Sequence, residues 1–363
     1  MTAREDQSLR VRGKITVLVG LVVASALPSA LAAATPAEDV FVYAAPDRQQ
    51  KLEEGAKKEG KILWYTTMIL DQRARPLAAA FRKKYPFIDV AVVQLDTGPL
   101  VQRSVSEFNA RKLDLDMVEG NLPVALALKD VGALAKIRSP QMAGLAPAVI
   151  DPEGYFVADR EVPLGFGYNT TLLPEAQVPK SRDDLLNPVL KGKLSTNDSV
   201  QGAIYFGAIL REKGEDFVRK LAVQQITVYS NMSSNAVTDL VASGVAVATF
   251  PTSVGQVTSI RDKGAPIAWT PLGKAFTVTG VLGALANSPH PNATALFLDF
   301  LISDDGQQTM VSTGEGGTRI GLANRYGGYV FEKQYLDTSI PQAEYLNTIK
   351  NWTNMFNSIM IKR

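Results

Sequence analysis

The sequence contains no cysteine and a single histidine among 363 residues. Without cysteine there are no disulfides and no thiolate metal sites. The one histidine, His290, lies between two prolines just before a predicted helix, where an exposed loop residue is expected. Multi-histidine metal sites are therefore excluded. An enzyme with this sequence would depend on carboxylates, lysine, tyrosine or a cofactor, and we predict neither a cofactor nor a bound metal.

A net charge of one sign and long apolar runs are also missing after residue 34. The chain has 38 basic and 36 acidic residues, and residues 1–34 hold four of the basic and two of the acidic ones, so the remainder is balanced. This balance gives no indication of a nucleic-acid partner. A hydrophobic content of 46% indicates a sizeable core, and the chain length predicts two domains.

The first 34 residues have the pattern of a secretory signal peptide. Four basic residues precede or border an apolar run of 13 residues at 15–27, and A-x-A patterns end at Ala32 and Ala34. The run is shorter than the ~20 residues of a membrane span, and a lipoprotein anchor would need a cysteine. We therefore predict export, cleavage near Ala32 or Ala34, and a periplasmic location.

Predicted strands and helices alternate along the remaining chain. Short apolar runs at 62–65, 88–95 and 115–118 predict strands buried on both faces, and helical patterns occur at 47–59, 77–85 and 99–111. After a strand-like run at 162–168, similar strands are predicted near 193–195, 226–229 and 245–250. Extended runs at 267–269 and 276–285 precede an amphipathic helix that begins at Pro291. The pattern predicts an α/β fold with open parallel sheets flanked by helices.

Polar residues follow a predicted strand and precede a helix six times, three times in each half of the chain. Ligands of open α/β sheets bind outside the carboxyl ends of the strands, and helix N-termini favour anions. The predicted ligand-binding residues are Thr66, Thr67, Thr97, Gly98, Glu119, Tyr168, Asn197, Ser199, Ser233, Ser234, Asn235, Thr252 and Ser253. Any one of these loops is equally typical of an ordinary helix cap. Glu119 fits either a partner for a ligand amine or metal, or a solvated loop residue.

One glycine-rich motif does not fit a phosphate loop. Gly314-Glu315-Gly316-Gly317 is not followed by Lys and Ser or Thr, and no strand-turn-helix pattern surrounds it. The sequence therefore assigns it no ligand.

Five stretches in order along the chain resemble type II extracellular solute-binding proteins of ABC transporters, family 1. The resemblance is to the branch that includes ferric-iron, thiamine and 2-aminoethylphosphonate binders. The stretches are KLEEGAKKEGKILWY at 51–65, FRKKYP at 81–86, GFGYNT at 165–170, DLLNP with KGK at 184–193, and ALFLDFL at 295–301.

The resemblance implies the two-lobed periplasmic-binding-protein type II fold, in which each lobe is a mostly parallel sheet flanked by helices. Lobe 1 would comprise residues 35–169 plus 281–363, and lobe 2 residues 170–280. Two crossover strands, near Tyr168 and near Val278, would join the lobes, and the cleft would close about this hinge.

The resemblance also implies a function. The chain would be the periplasmic substrate-binding component of an ABC importer, which passes a small-molecule ligand to a membrane permease. It would be a monomer, and it would not be an enzyme. Ferric-binding relatives carry adjacent tyrosines after the strand at 245–250, whereas this chain has Phe250-Pro251-Thr252-Ser253. We therefore expect a phosphonate, an oxyanion or a small organic ligand such as thiamine. An iron(III) carrier with non-tyrosine ligands, a secreted carboxylate-dependent hydrolase or lyase, and a structural envelope protein stay open as alternatives.

Replacing Thr252 and Ser253 by Ala should weaken ligand binding without unfolding the protein, because both hydroxyls are predicted to face the ligand. Calorimetry of the double variant measures the effect, and an unchanged affinity would contradict the assignment.

Overall fold

The computed structural model describes residues 37–111, 114–273, 276–322 and 340–361. The predicted signal peptide lies outside this range. Within the described residues, no helix combines the length and apolar character needed to cross a bilayer.

The described strands form one mixed sheet. Their bounds are β1 (Lys61–Thr66), β2 (Asp89–Gln94), β3 (Met117–Asn121), β4 (Val157–Asn169), β5 (Leu194–Asn197), β6 (Thr227–Tyr229), β7 (Ala248–Ser253), β8 (Ile267–Thr270), β9 (Phe276–Ala284) and β10 (Gly316–Gly317). The strand order is β2-β1-β3-β9-β4-β7-β5-β6, and β8 and β10 both pair with β4.

The sheet consists of two parallel groups joined by two antiparallel strands. β1 pairs in parallel with β2 and β3, and β5 pairs in parallel with β6 and β7. Between these groups, β9 runs antiparallel to β3, β4 runs antiparallel to β7, and β4 and β9 pair with each other. The predicted fold class is confirmed, and the predicted crossover strands near Tyr168 and Val278 correspond to β4 and β9.

Helices connect the parallel strands and cover the sheet. They are α1 (Ala37–Val42), α2 (Arg48–Glu59), α3 (Arg75–Lys84), α4 (Thr97–Asn109), α5 (Leu122–Asp130), α6 (Val200–Lys213), α7 (Glu215–Ala222), α8 (Ser234–Ala242), α9 (Val254–Arg261), α10 (Pro291–Leu301), α11 (Asp304–Ser312) and α12 (Gln342–Phe356). The sequence patterns had not indicated α1, α11 or α12. For α5 and α9 they indicated only a polar loop that precedes a helix, without a helical pattern in the helix itself. In α5 the residues Leu-Pro-Val-Ala-Leu-Ala-Leu are almost all apolar, so no amphipathic period marks the helix.

An aromatic cluster holds α10 on the first parallel group. Phe297 is completely buried and packs edge-to-face against Trp64 of β1 and Phe81 of α3, at ring-centroid distances of 5.2 Å and 4.8 Å. This burial explains the 3-4 spacing of apolar residues that predicted the helix.

The helix α12 packs against the second parallel group. Its Trp352 covers Gly207 of α6, where no side chain would fit, and Phe356 meets Phe206 edge-to-face at 5.4 Å. The guanidinium of Arg211 lies 5.6 Å from the ring centre of Trp352. The residues of α12 were predicted to belong to lobe 1 and those of α6 to lobe 2, and the lobe boundaries themselves stay a prediction.

Trp352→Ala should lower the free energy of unfolding by about 3 kcal/mol, the low end of the range for removing a buried aromatic side chain. Urea unfolding monitored by circular dichroism gives this value. Asn351→Ala, at an exposed position of the same helix, is the control and should change it by less than about 0.5 kcal/mol. Equal effects of the two substitutions would show that α12 contributes no packing energy.

Candidate functional site

Five helices begin at one cavity of about 450 Å³. They are α4, α5 and, from the second parallel group, α6, α8 and α9, and the residue that precedes each one lines the cavity: Asp96, Asn121, Ser199, Ser233 and Ser253. The first N–H groups of a helix have no partner within the helix, and its N-terminus carries a positive partial charge. The cavity therefore has a positive backbone contribution from several directions.

Three of these helices have a serine cap. The side chains of Ser199, Ser233 and Ser253 accept hydrogen bonds from the backbone N–H of Gly202, Ala236 and Gln256, at 3.2, 3.2 and 3.1 Å. Each bond satisfies one N–H of the first turn. The serine hydroxyls thus fix where the helices begin, at the edge of the cavity.

Eight of the thirteen predicted residues line this cavity. They are Thr67, Thr97, Gly98, Ser199, Ser233, Ser234, Asn235 and Ser253. Each lies just after a strand, at a helix cap or in the first turn of a helix. The structure brings them together, and their contact with a ligand stays a prediction.

The other five predicted residues do not line the cavity: Thr66, Glu119, Tyr168, Asn197 and Thr252. All five lie in strands. Tyr168 belongs to the predicted run at 162–168, and the other four are included because β1, β3, β5 and β7 continue further than their apolar runs. Thr252 is completely buried, its Oγ1 lies 2.5 Å from Oγ1 of Thr238 and its backbone oxygen accepts from Trp269 Nε1. Tyr168 stacks on Phe166 at 6.1 Å.

Asn197 acts on the lining indirectly. Its Oδ1 accepts a 2.5 Å hydrogen bond from Ser199 Oγ, and its Nδ2 donates to Ser234 Oγ at 3.1 Å. It therefore positions two cavity residues from within β5.

These positions modify the expectation for Thr252 and Ser253. The Thr252 hydroxyl is bonded inside the protein and the Ser253 hydroxyl caps α9. Their replacement by Ala removes a buried hydrogen bond and a helix cap, each contributing about 1 kcal/mol. Stability must therefore be measured together with affinity for that variant.

Glu119 is neither a free ligand group nor a solvated loop residue. Its carboxylate is completely buried in β3 and accepts hydrogen bonds from Thr66 Oγ1 at 2.5 Å and from Arg160 Nε at 2.9 Å. A second Arg160 nitrogen, Nη2, lies 2.8 Å from the same carboxylate. Arg160 itself lines the cavity, so the pair fixes the guanidinium at the cavity wall.

A second arginine lines the cavity with part of its guanidinium unpaired. Arg73 lies on a π-helical turn, Leu70–Ala74, that leads into α3, and its Nε lies 2.5 Å from Glu315 Oε1. Its Nη2 is buried and has no hydrogen-bond partner among the described residues. Burial lowers the pKa of Arg73, although the neighbouring Glu315 opposes this effect. A buried guanidinium with an open donor is suited to bind an anion.

The sequence patterns missed Arg73, Arg160 and Glu315. Arg73 precedes an ordinary helical pattern, and Glu315 lies in the glycine-rich motif that fitted no phosphate loop. The one available signal was Asp159-Arg160-Glu161, three consecutive charged residues in an otherwise apolar strand.

Asp159 lies next to this network without a partner. The residue is completely buried, and neither carboxyl oxygen has a hydrogen-bond partner in the described part of the chain. Burial, and then the charge of Glu119, raises the pKa of Asp159 well above its usual value. The folded protein therefore binds a proton here more tightly than the unfolded chain does.

Asp159→Asn should reduce the loss of stability between pH 5 and pH 8. A raised folded-state pKa means that folding is favoured below the usual aspartate pKa and is weakened as pH rises above it, by about 1.4 kcal/mol for each unit of pKa difference until the folded-state pKa is reached. Asparagine does not ionise, so this contribution disappears. Urea unfolding at both pH values tests this, with Asp130→Asn at an exposed position as control. The same pH dependence in Asp159→Asn and wild type would contradict an elevated pKa.

Comparisons with known proteins agree with this architecture. The family model described as bacterial extracellular solute-binding protein matches residues 76–323. A search of curated protein sequences finds no significant match.

Solved structures share the fold at low identity. Iron-bound HitA from Pseudomonas aeruginosa is 18% identical with a TM-score of 0.67, over 80% of this chain and 99% of that one. AfuA from Actinobacillus pleuropneumoniae, with fructose-6-phosphate bound, is 20% identical with a TM-score of 0.71, over 83% and 99%. The apo ferric ion-binding protein A of Pasteurella haemolytica is 13% identical with a TM-score of 0.66, over 83% and 98%.

The family model covers more than half of the chain, and its members are binding proteins that take up small ligands and work with ABC transporter permeases. The chain belongs to the bacterial extracellular solute-binding protein family, as a periplasmic solute-binding protein of an ABC transporter.

Proposed function

We propose that this protein captures a small solute that carries an oxyanion group, such as a phosphate ester or a phosphonate. One observation carries the proposal: five helices begin at the cavity where the buried Arg73 Nη2 lacks a partner. Helix N-termini and arginine are the two elements that proteins use most directly for anions. Their combination at one cavity favours a negatively charged ligand group.

The acidic residues of the lining do not cancel this preference. Glu315 is paired with Arg73, and Asp198 accepts the backbone N–H of Asn231 at 2.9 Å. Asp96 is exposed and lies at the start of α4. Its carboxylate offsets the positive partial charge of the α4 N-terminus and not that of the other helices. The starts of α8 and α9 have neutral serine caps, so their positive ends are left for the ligand.

The cavity volume supports a small organic anion. About 450 Å³ lies within the range of small-molecule sites, and it leaves room for more than an inorganic oxyanion. The lining also has polar, uncharged groups, including Thr67, Asn121, Asn235 and Thr279, which suit hydroxyl or amine substituents. The AfuA structure, with its sugar phosphate, provides a related example of such a ligand on this fold.

Iron(III) fits this lining less well. No tyrosine, histidine or cysteine is among the described residues that line the cavity. Nor do the residues that the structure describes contain a group of three or more His, Cys, Asp or Glu side chains that could hold a metal ion. Iron(III) prefers several anionic oxygen ligands, whereas two of the lining carboxylates already have partners: Glu315 pairs with Arg73, and Asp198 accepts the backbone N–H of Asn231.

Two parts move in the mechanism that we propose. The groups β2-β1-β3 and β7-β5-β6 act as the cores of two lobes, with β4 and β9 as the hinge strands between them. Ligand binds between the helix starts of both groups, the lobes close, and the closed monomer delivers the solute to its permease. Because α12 packs on α6, residues 342–356 move with the second group.

A thermal-shift screen of residues 35–363 tests the ligand class. A phosphate ester or phosphonate at 100 times its dissociation constant should add about 2.7 kcal/mol to the free energy of unfolding. The panel is inorganic phosphate, hexose phosphates, 2-aminoethylphosphonate, thiamine, citrate and iron(III) with carbonate. Stabilisation by thiamine or iron(III) alone would overturn the proposal, and conversion of a bound compound would identify an enzyme.

A test of the role of Arg73 requires a variant that removes both charges of the Arg73–Glu315 pair. Removing Arg73 alone would leave Glu315 buried and unpaired, which costs about 3–5 kcal/mol. The double variant Arg73→Met, Glu315→Gln removes both charges and should lose at least tenfold in affinity for the anion, since a charged hydrogen bond contributes about 1.5–3 kcal/mol. The matched control is Gln308→Ala at an exposed site of α11. Full affinity in the double variant would remove Arg73 from the site.

A further inference from the structure

The start of α9 approaches the opposite side of the cavity unusually closely. Gly255 is the second residue of α9 and is buried. A Cβ atom at this position would lie 2.8 Å from Arg73 Nη2, 2.8 Å from the backbone oxygen of Gly314 and 3.2 Å from Glu315 Oε1. Real Cβ atoms do not approach a backbone oxygen at 2.8 Å, so only glycine fits here without displacement.

The opposing surface is built by the glycine-rich motif that fitted no phosphate loop. Gly314 has a positive φ of 88°, and a Cβ here would lie 3.8 Å from Gly255 Cα. Glu315 pairs with Arg73. Gly316–Gly317 form β10, which pairs with Glu161 and Arg160 of β4. The motif therefore attaches the Arg73–Glu315 pair to the hinge strand.

The contact joins elements that belong to different groups of strands. Arg73 follows β1 of the first parallel group, whereas α9 follows β7 of the second. Any relative movement of the two groups about β4 and β9 changes the separation of Gly255 from the Arg73–Glu315–Gly314 surface. A separation of the two groups would therefore break this contact.

Charge explains why an anionic ligand would favour this contact. The start of α9 carries a positive partial charge, and Arg73 Nη2 is a positive donor without a partner among the described residues. Glu315 offsets part of the repulsion between them, because its Oε1 lies 2.5 Å from Arg73 Nε and 3.2 Å from the position of a Cβ at residue 255. An anionic ligand beside Arg73 Nη2 would offset the rest. An oxyanion at this point accepts hydrogen bonds from both sides at once.

We infer that Gly255 is the residue that sets how far the cleft closes, by letting the start of α9 meet Arg73 and Gly314 when an anion bridges them. The inference takes the bridging group from the proposed function, whereas the steric limit on closure is independent of the ligand.

Gly255→Ala and Gly255→Val test the inference as a graded pair. Position 255 is helical, and Ala favours a helix over Gly by about 1 kcal/mol, so the ligand-free Ala variant should be as stable as wild type. The added methyl meets the Gly314 backbone oxygen only on closure. If closure falls to about a tenth of its population, the apparent affinity falls about tenfold, and Val should have a larger effect than Ala.

The closure itself is measured without reference to ligand identity. Because the chain has no cysteine, Lys83→Cys on α3 and Lys263→Cys after α9 accept spin labels at two defined exposed sites. Pulsed electron paramagnetic resonance then gives the distance between them. We expect longer distances in Gly255→Ala, longer still in Gly255→Val, and wild-type distances in the control Ser259→Ala, one turn further along α9.

The outcomes separate the two proposals. Wild-type distances in both Gly255 variants would overturn the inference, whatever the ligand. Longer distances with unchanged affinity for the best-binding phosphate or phosphonate of the screen would also overturn it, since closure would then not contribute to binding. Longer distances in a protein that binds no oxyanion would uphold the steric role of Gly255 and reject the proposed ligand class.

Discussion

The site depends on one constraint of parallel sheets. Two neighbouring parallel strands require a crossover connection, usually a helix, so each strand leads into a helix N-terminus at the same edge of the sheet. Here this edge occurs twice, at the carboxyl ends of β1, β2 and β3 and at those of β5, β6 and β7. The antiparallel pair β4 and β9 places the two edges at a common cavity. The helix starts collect there because of the chain connectivity, before any side chain is considered.

The side chains add a buried charge network to this backbone arrangement. Arg160 with Glu119 and Arg73 with Glu315 are ion pairs with little exposure to solvent. Buried ion pairs rarely stabilise a protein more than apolar residues of similar volume. Asp159 adds a buried carboxyl group without a partner among the described residues. Such a network is poor for stability, which favours the view that it is kept for the binding site.

The sequence predicted the fold much better than the individual site residues. Apolar runs located the strands because both faces of a parallel sheet are buried, and the serine caps at 199, 233 and 253 located the helix starts. The errors arose at strand ends. Thr66, Glu119, Asn197 and Thr252 are polar and were assigned to loops, yet each is satisfied by partners inside the protein and stays in its strand. Polarity alone does not end a strand when a neighbouring element supplies the hydrogen bond.

Arg73 and Glu315 could not be predicted as site residues from sequence patterns for a different reason. They are more than 240 residues apart in the chain, and nothing in either local segment indicates the other. Only the start of helix α9 was indicated, because Val-Gly-Gln-Val-Thr-Ser contains few good helix formers and has no helical pattern. The residue that weakens this pattern most is Gly255, which the close approach to Gly314 requires. The absence of a side chain at Gly255 therefore weakens the helical pattern and also allows the contact with Gly314.

The serine caps and Arg73 differ in the hydrogen bonds that they make without a ligand, and this difference gives them different roles in binding. The hydroxyls of the three serine caps already accept hydrogen bonds from backbone N–H groups in the first turns of their own helices. Without a ligand these hydroxyls therefore still have hydrogen-bond partners. Arg73 Nη2 is buried, and the described residues leave it unbonded, so it bears an uncompensated desolvation cost until a ligand acceptor arrives. A ligand lacking an acceptor at this point would leave that cost in place, because the helix ends supply only a general positive potential. Selectivity among small solutes should therefore depend more on the group that meets Arg73 than on the groups that meet the serine caps.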